Sequence, residues 1–303
     1  MATIINGVVY HRINTASWFK SNNPILGNGE LAIEEDTHKI KAGDGTTNYN
    51  DLVYISGSGI TSNPLYNQKS CGIIIPMYIY PSDIWTNTDY DGVYELARSN
   101  KSVPIIMIVN PEDGAGSEVD GNYTYAIKKA ISAGITPIGY VPTDYGNNSN
   151  AISEIDNWLN KYPDIQGIFY DEVQYDNSEA EYYTELVNWA KTNGLMINVG
   201  NPGSPSNIGL YDYFDIVIEW ETDAGYPSES EMKSNWEGGS AEISLYKRGL
   251  LEIGLSSWDA TTFDEVLKYY GWVYVTDDTM SPNPWDSVSG YMSNMITAIK
   301  NNQ

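Results

Sequence analysis

The stretch GIIIPMYIY at residues 72–80 decides the fold, because it opens a pattern that recurs seven more times. It is an apolar, β-branched run too short for a buried helix, and the reading predicts a strand. Similar runs follow at 103–110 (VPIIMIVN), 135–141 (ITPIGYV), 166–172 (QGIFYDE), 195–201 (LMINVGN), 213–220 (YFDIVIEW), 250–256 (LLEIGLS) and 271–276 (GWVYVT). Amphipathic segments separate them. Tyr183, Leu186, Val187 and Ala190 follow helical spacing, as do Phe263, Val266, Leu267 and Tyr270, and a closing helix carries Val288, Met292, Met295, Ile296 and Ile299. Ser178 with Glu181, and Thr262 with Glu265, have the spacing of capping boxes.

Eight near-continuous apolar strands alternating with helices imply a parallel sheet covered on its faces. About 230 residues is the size of a closed (β/α)8 barrel. An open doubly wound sheet is the alternative, but Tyr80-Pro81-Ser82 stands where a glycine-rich phosphate loop would follow the first strand. The expected class is therefore α/β, a TIM-type barrel over residues 71–303. Residues 1–56 form a small β-rich module with a tight turn at Asp44-Gly45, and residues 57–70 are a small, polar linker.

The chain has 303 residues and a formal net charge of −24. That charge repels phosphate, so nucleic acid is not an expected partner. No apolar run is long enough to span a bilayer, and no signal peptide is visible at the N-terminus. The single cysteine, Cys71, excludes an intrachain disulfide and reads as a small buried hydrophobe. With His11 and His38 both in the N-terminal part, neither a Ser-His-acid triad nor a His/Cys zinc site is expected, and no cofactor. The aromatic residues, 25 Tyr and 9 Trp against 4 Phe, pair flat apolar faces with polar edges, as sugar-binding surfaces do.

A barrel of this kind carries its chemistry at the C-terminal strand ends. There the sequence places Asp171 and Glu172, Glu219 and Asp277, ringed by Tyr78, Tyr80, Asn110, Tyr140 and Asn201. Two carboxylates of unlike pKa are what glycosidic cleavage requires. The catalytic candidates are Asp171, Glu172 and Glu219. The substrate-binding candidates are Tyr78, Tyr80, Asn110, Tyr140, Asn201, Trp220, Trp258 and Asp277. If strand pairing persists at 171–172, at most one of that adjacent pair faces the lumen, unless the chain turns there.

The runs 72–81, 104–111, 134–145, 167–172 (GIFYDE) and 199–203 (VGNPG), with Glu219, 274–278 (YVTDD) and Pro284-Trp285-Asp286, resemble the spherulin-four-type family, glycoside hydrolase family 135. The resemblance implies a (β/α)8 barrel with endo-acting cleavage of galactosamine-containing polymers. It also implies that Asp171 is nucleophile or stabilising anion, Glu219 the acid/base and Glu172 a helper. Ser256-Ser257-Trp258 departs from the histidine that usually ends strand seven in the family, which bears on the substrate. Residues 18–52 are similar to a module at the N-termini of phage tail-fibre proteins. That resemblance implies a virion-tail location, phage tail or baseplate partners, a homotrimer, and a host cell-surface polysaccharide as target. The combined expectation is a tail-borne depolymerase; the alternative is a receptor-recognition protein that only binds the glycan.

Overall fold

The computed structural model describes residues 11–37, 39–52, 54–56, 70–81, 88–237 and 243–303. His38 and nearly all of the expected 57–70 linker lie outside these residues. The chain divides into two compact units, a small N-terminal one and a large C-terminal one.

The N-terminal unit is a sheet of four short strands in sequential order: β1 (Arg12–Asn14), β2 (Leu31–Glu34), β3 (Ile40–Ala42) and β4 (Tyr54–Ser56). Between β1 and β2 runs helix α1 (Ala16–Asn22), whose Thr15 side chain accepts from the Trp18 N–H as an N-cap. The core is Phe19 stacked on Tyr49, with Leu26, Ala32 and Leu52. The turn at Asp44-Gly45 is held by the Asp44 carboxylate, which accepts the N–H and hydroxyl of both Thr46 and Thr47. It leads not straight into β4 but into a 3-10 turn at Tyr49–Asp51. Glu34 is buried and accepts hydroxyl hydrogens from Thr37, Tyr49 and Tyr54. Beside it Lys41 lies over the Tyr49 and Tyr54 rings and donates to the Tyr49 carbonyl; burial pulls its ammonium down to about 8.

The C-terminal unit is a closed barrel of eight parallel strands. In order they are β5 (Gly72–Met77), β6 (Ile105–Val109), β7 (Thr136–Pro142), β8 (Gly167–Asp171), β9 (Ile197–Gly200), β10 (Ile216–Thr222), β11 (Arg248–Glu252) and β12 (Trp272–Val275). Helices α2 (Thr88–Ser99), α3 (Gly121–Ala133), α4 (Ala151–Lys161) and α5 (Ala180–Thr192) follow β5 to β8, and a 3-10 turn at Ile208–Asp212 follows β9. Then α6 (Glu229–Glu237), α7 (Ala260–Val266) and α8 (Met292–Asn301) follow the last three strands. Closure is by β12 on β5, with Trp272 opposite Gly72 and Val273 opposite Ile73. The expected (β/α)8 architecture is thus present, and the strands read as unbroken apolar runs because both faces are covered.

The predicted stripes face the core on the helices themselves: Tyr183, Leu186, Val187 and Ala190 on α5, Phe263 and Val266 on α7, and Met292, Met295, Ile296 and Ile299 on α8 are buried, whereas Leu267 and Tyr270 are buried beyond the end of α7 and Val288 lies ahead of α8, half-buried. The helix starts differ from the capping-box expectation. Asp259 caps α7 by accepting from Thr261 and Thr262, and Asp176 accepts from Ser178 ahead of α5. Glycine is required where the helices press on the barrel: a Cβ at Gly139 would sit 2.5 Å from the Trp158 ring of α4. Trp158 also donates its indole N–H to the Tyr140 carbonyl at 2.8 Å, fixing that stretch of β7. Cys71 is partly buried, and burial pushes its thiol up to about 11.

Candidate active site

Asp171 ends β8 opposite Pro142 of β7. Immediately after it the chain turns. Glu172 has φ 54°, and across the gap Asp144 and Tyr145 have φ 46° and 52°. Side-chain-bearing residues in this left-handed region cost roughly 1–3 kcal/mol each and persist only where the surroundings hold them. Here Thr143 holds them: its hydroxyl donates to the carbonyls of both Asp171 (2.7 Å) and Glu172 (2.8 Å), and the Tyr145 N–H donates to Glu172 as well. The turn breaks strand alternation, so the adjacent acids escape the opposite-face rule. The Glu172 carboxylate lies close enough to Tyr140 to help raise its hydroxyl.

The Asp171 carboxylate accepts from the Tyr140 hydroxyl and from the Asn201 side-chain amide, both at 2.8 Å. That same Asn201 nitrogen donates to Glu221 at 2.6 Å. The orientation of the amide is fixed from behind, because the Gly203 N–H donates to the Asn201 oxygen at 3.0 Å and so turns the NH2 toward the two acids. With oxygens 2.8 and 2.6 Å from one nitrogen, the Asp171 and Glu221 carboxylates approach within 5.4 Å of each other at most.

Burial pushes the Glu221 carboxyl up to about 7, with the negative charge of Asp171 adding to the rise; hydrogen bonds from Asn201 and Trp285 oppose it. Tyr78 completes the floor. Its ring meets Tyr140 edge to face at 5.8 Å, and burial, then the charge of Asp171, raises its hydroxyl far above the usual range. The result is a protonatable carboxyl and a hydrogen-bonded carboxylate facing each other across one amide.

Of the residues singled out in the sequence, Asp171, Glu172, Tyr78, Tyr140 and Asn201 come together here. Glu219 does not, and this corrects the sequence reading. A β-bulge lies between Ile218 and Trp220: Ile218 pairs with Gly249, whereas Trp220 pairs with Leu250. Glu219 is the extra residue, and its parity is opposite to that of Glu221. Its carboxylate is buried and accepts from the Arg248 guanidinium at 2.9 and 3.0 Å, and Arg248 in turn stacks on Tyr270. Glu219 is a structural ion pair behind the strand. Trp220 also faces away from the acids, donating its indole N–H to Glu252 at 3.3 Å.

The remaining candidates hold loops. Asn110 accepts the Gly114 N–H, and Asp277 accepts the Gly290 N–H. The Tyr80 hydroxyl donates to Asp120, although its ring stays half exposed. Trp258 packs on Phe263 and Tyr291, away from the carboxylates. Glu221 and Thr143 were missed. The sequence signal for Glu221 was its place two residues beyond Glu219, past an expected strand end that in fact extends to Thr222. Among the described residues, no three His, Cys, Asp or Glu side chains are grouped so as to hold a metal ion.

Comparison with known proteins gives the same span. Residues 72–299 match the family described as spherulation-specific family 4. The chain belongs to this family. Spherulin-4 of Physarum polycephalum is 30% identical over 264 residues, covering 82% of this chain and 74% of the relative. Among solved structures, Aspergillus clavatus Sph3, crystallised with GalNAc, superposes with a TM-score of 0.62 at 20% identity, over 76% of this chain and 97% of that one. At that identity the likeness to Sph3 speaks for the barrel alone. The family match covers the barrel and stops short of the N-terminal sheet.

Proposed function

We propose that the barrel is a glycoside hydrolase that cuts a galactosamine-containing glycan, with Glu221 as general acid/base and Asp171 as the opposing anion. The observation that carries this reading is the Asn201 amide joining the two carboxylates. Their roles follow from their environments. Burial lifts the Glu221 carboxyl to about 7, so a substantial share of it keeps its proton into the neutral range and can deliver that proton to the leaving glycosidic oxygen. Asp171, presented to the sugar between two donors, stabilises or attacks the anomeric carbon. Retaining enzymes hold their carboxyls roughly 5–5.5 Å apart and inverting ones roughly 6.5–9.5 Å. The nearest oxygens of the pair, no more than 5.4 Å apart, sit closer than the spacing that admits an inverting enzyme's water, and we read the pair as retaining. Glu172, on its strained turn, polarises Tyr140 and the substrate beside Asp171.

Endo-action is supported by the rim. The half-exposed residues Tyr80, Val119, Tyr145, Tyr175, Ile208 and Met280 stand on loops following six different strands, all at the mouth face. Such an open ring suits a polymer lying across the mouth. Galactosamine as the sugar rests on the family and on the GalNAc bound to Sph3. The N-terminal sheet, on this reading, attaches the enzyme to a phage tail, possession of which is checked by mass spectrometry of purified virions and trimer assembly by sedimentation. The enzymatic test is incubation with N-acetylgalactosamine oligomers. New reducing ends of retained configuration by proton NMR, lost by 10²-fold or more in Glu221→Gln, are expected. Binding without any cleavage would refute the hydrolase and leave a glycan receptor.

A further inference from the structure

Away from the acids, a cleft of about 500 Å³ lies between α7 and α8 on the outer wall. Clefts of roughly 300–1,000 Å³ are the size that takes small ligands. Its one large apolar wall is Trp258, whose ring is buttressed from behind by Phe263 at 4.6 Å and Tyr291 at 5.8 Å. The rest of the lining is polar, with Asp264, Asn294, Thr297 and Asn301 over a floor made low by Ala298. Asp264 is held in place by Asn302, which donates to one of its oxygens at 2.9 Å. Among the described residues the side-chain amides of Asn294 and Asn301 and the second Asp264 oxygen have no hydrogen-bond partner. A core-packing groove would be lined by apolar side chains instead; this one combines a rigid indole with uncommitted amides, a hydroxyl and a carboxylate.

That combination is the chemistry of a pyranose. The indole face meets the apolar C–H face of the ring, and the amides meet its hydroxyls. A carboxylate in the same cleft suits an amino or acetamido nitrogen. The position adds a second argument. Trp258 and the first turns of α7 and α8 follow the C-terminal ends of β11 and β12, so the cleft opens at the mouth end of the barrel and runs down its side. We infer that the α7–α8 cleft is a second binding site for a hexosamine oligosaccharide, which holds a more distant stretch of the polymer being cut. This rests on the hydrolase reading for its purpose, but the binding itself does not.

The test separates the two. In the Glu221→Gln protein, calorimetric titration with an N-acetylgalactosamine hexamer is expected to give two sites per chain. Thr297→Arg, an exposed helical substitution that fills the cleft, and Asn294→Ala with Asn301→Ala are each expected to reduce this to one. In the active protein the same variants should raise KM for long polymer three- to tenfold and leave kcat/KM for a trimer within twofold. One site per chain, unaffected by either variant, overturns the inference even if cleavage is normal. Absence of cleavage overturns the hydrolase reading, and the titration still decides the cleft.

Discussion

Replacing Glu221 by Gln should make the protein more stable at alkaline pH while it destroys the chemistry. In the native barrel the Glu221 carboxyl is lifted from 4.5 to about 7, chiefly by burial. The folded chain therefore holds this proton more tightly than the unfolded chain does. Between about pH 4.5 and 7 the folded state keeps a proton that the unfolded state has released, so stability falls as pH rises through that window. At 1.36 kcal/mol per tenfold change in proton affinity, the full loss is on the order of 3 kcal/mol at pH 8. Gln keeps the acceptor that Asn201 needs and carries no charge at any pH, so it escapes the loss. For a domain of this size, roughly 2–4 °C in Tm accompanies each kcal/mol. Thermal melts of Glu221→Gln against the native protein should coincide near pH 4 and diverge at pH 8, with the variant melting on the order of 6–12 °C higher as an upper limit. A gap that is equal at both pH values, or a variant that melts lower at pH 8, would refute the assignment of a buried, proton-retaining carboxyl.

Glu219→Gln should keep kcat within a fewfold, since its carboxylate serves Arg248; Arg248→Met, which strands that carboxylate, should cost about 3–5 kcal/mol in urea melts, largely recovered by adding Glu219→Leu. Loss of kcat with unchanged stability in Glu219→Gln would return that residue to the mechanism. Gly139→Ala forces a carbon against the Trp158 ring and should cost about 1–3 kcal/mol, together with kcat, because Trp158 positions the Tyr140 strand. Glu34→Ala strips the acceptor from three hydroxyls and should cost the N-terminal sheet on the order of 2–4 kcal/mol, read as faster amide exchange in β2 and β3 with barrel amides unchanged.

The barrel was legible because burial on both faces writes each strand as a continuous apolar run, and eight such runs at β–α spacing leave few alternatives. Asp171, Asn201 and Tyr140 were legible for the same reason: each is a polar residue at the end of an apolar run. Glu221 was not, since hydrophobicity tapers gradually in 216–222 and the bulge leaves no mark in composition. Counting by twos puts positions 219 and 221 on one face; only the pairing of Trp220 with Leu250 shows otherwise. The roles of Trp220 and Trp258 were equally hidden, because an indole serves a sugar or a helix with the same side chain. The left-handed turn at Glu172 depends on the Thr143 hydroxyl, a contact across 29 positions that no local pattern records.

The surplus residue in β10 has a further meaning for how such a protein changes over generations. Loss of that one codon would leave every stave of the barrel in place and the ribbon beyond it facing as before, because Ile218 and Trp220 already sit opposite the consecutive residues Gly249 and Leu250. Glu221 would still point toward Asp171, while the Arg248 guanidinium would lose the carboxylate it is paired with. The surplus residue can thus be gained or shed without moving the acid two places beyond it; what its presence decides is whether the cation buried behind the strand has a counter-charge.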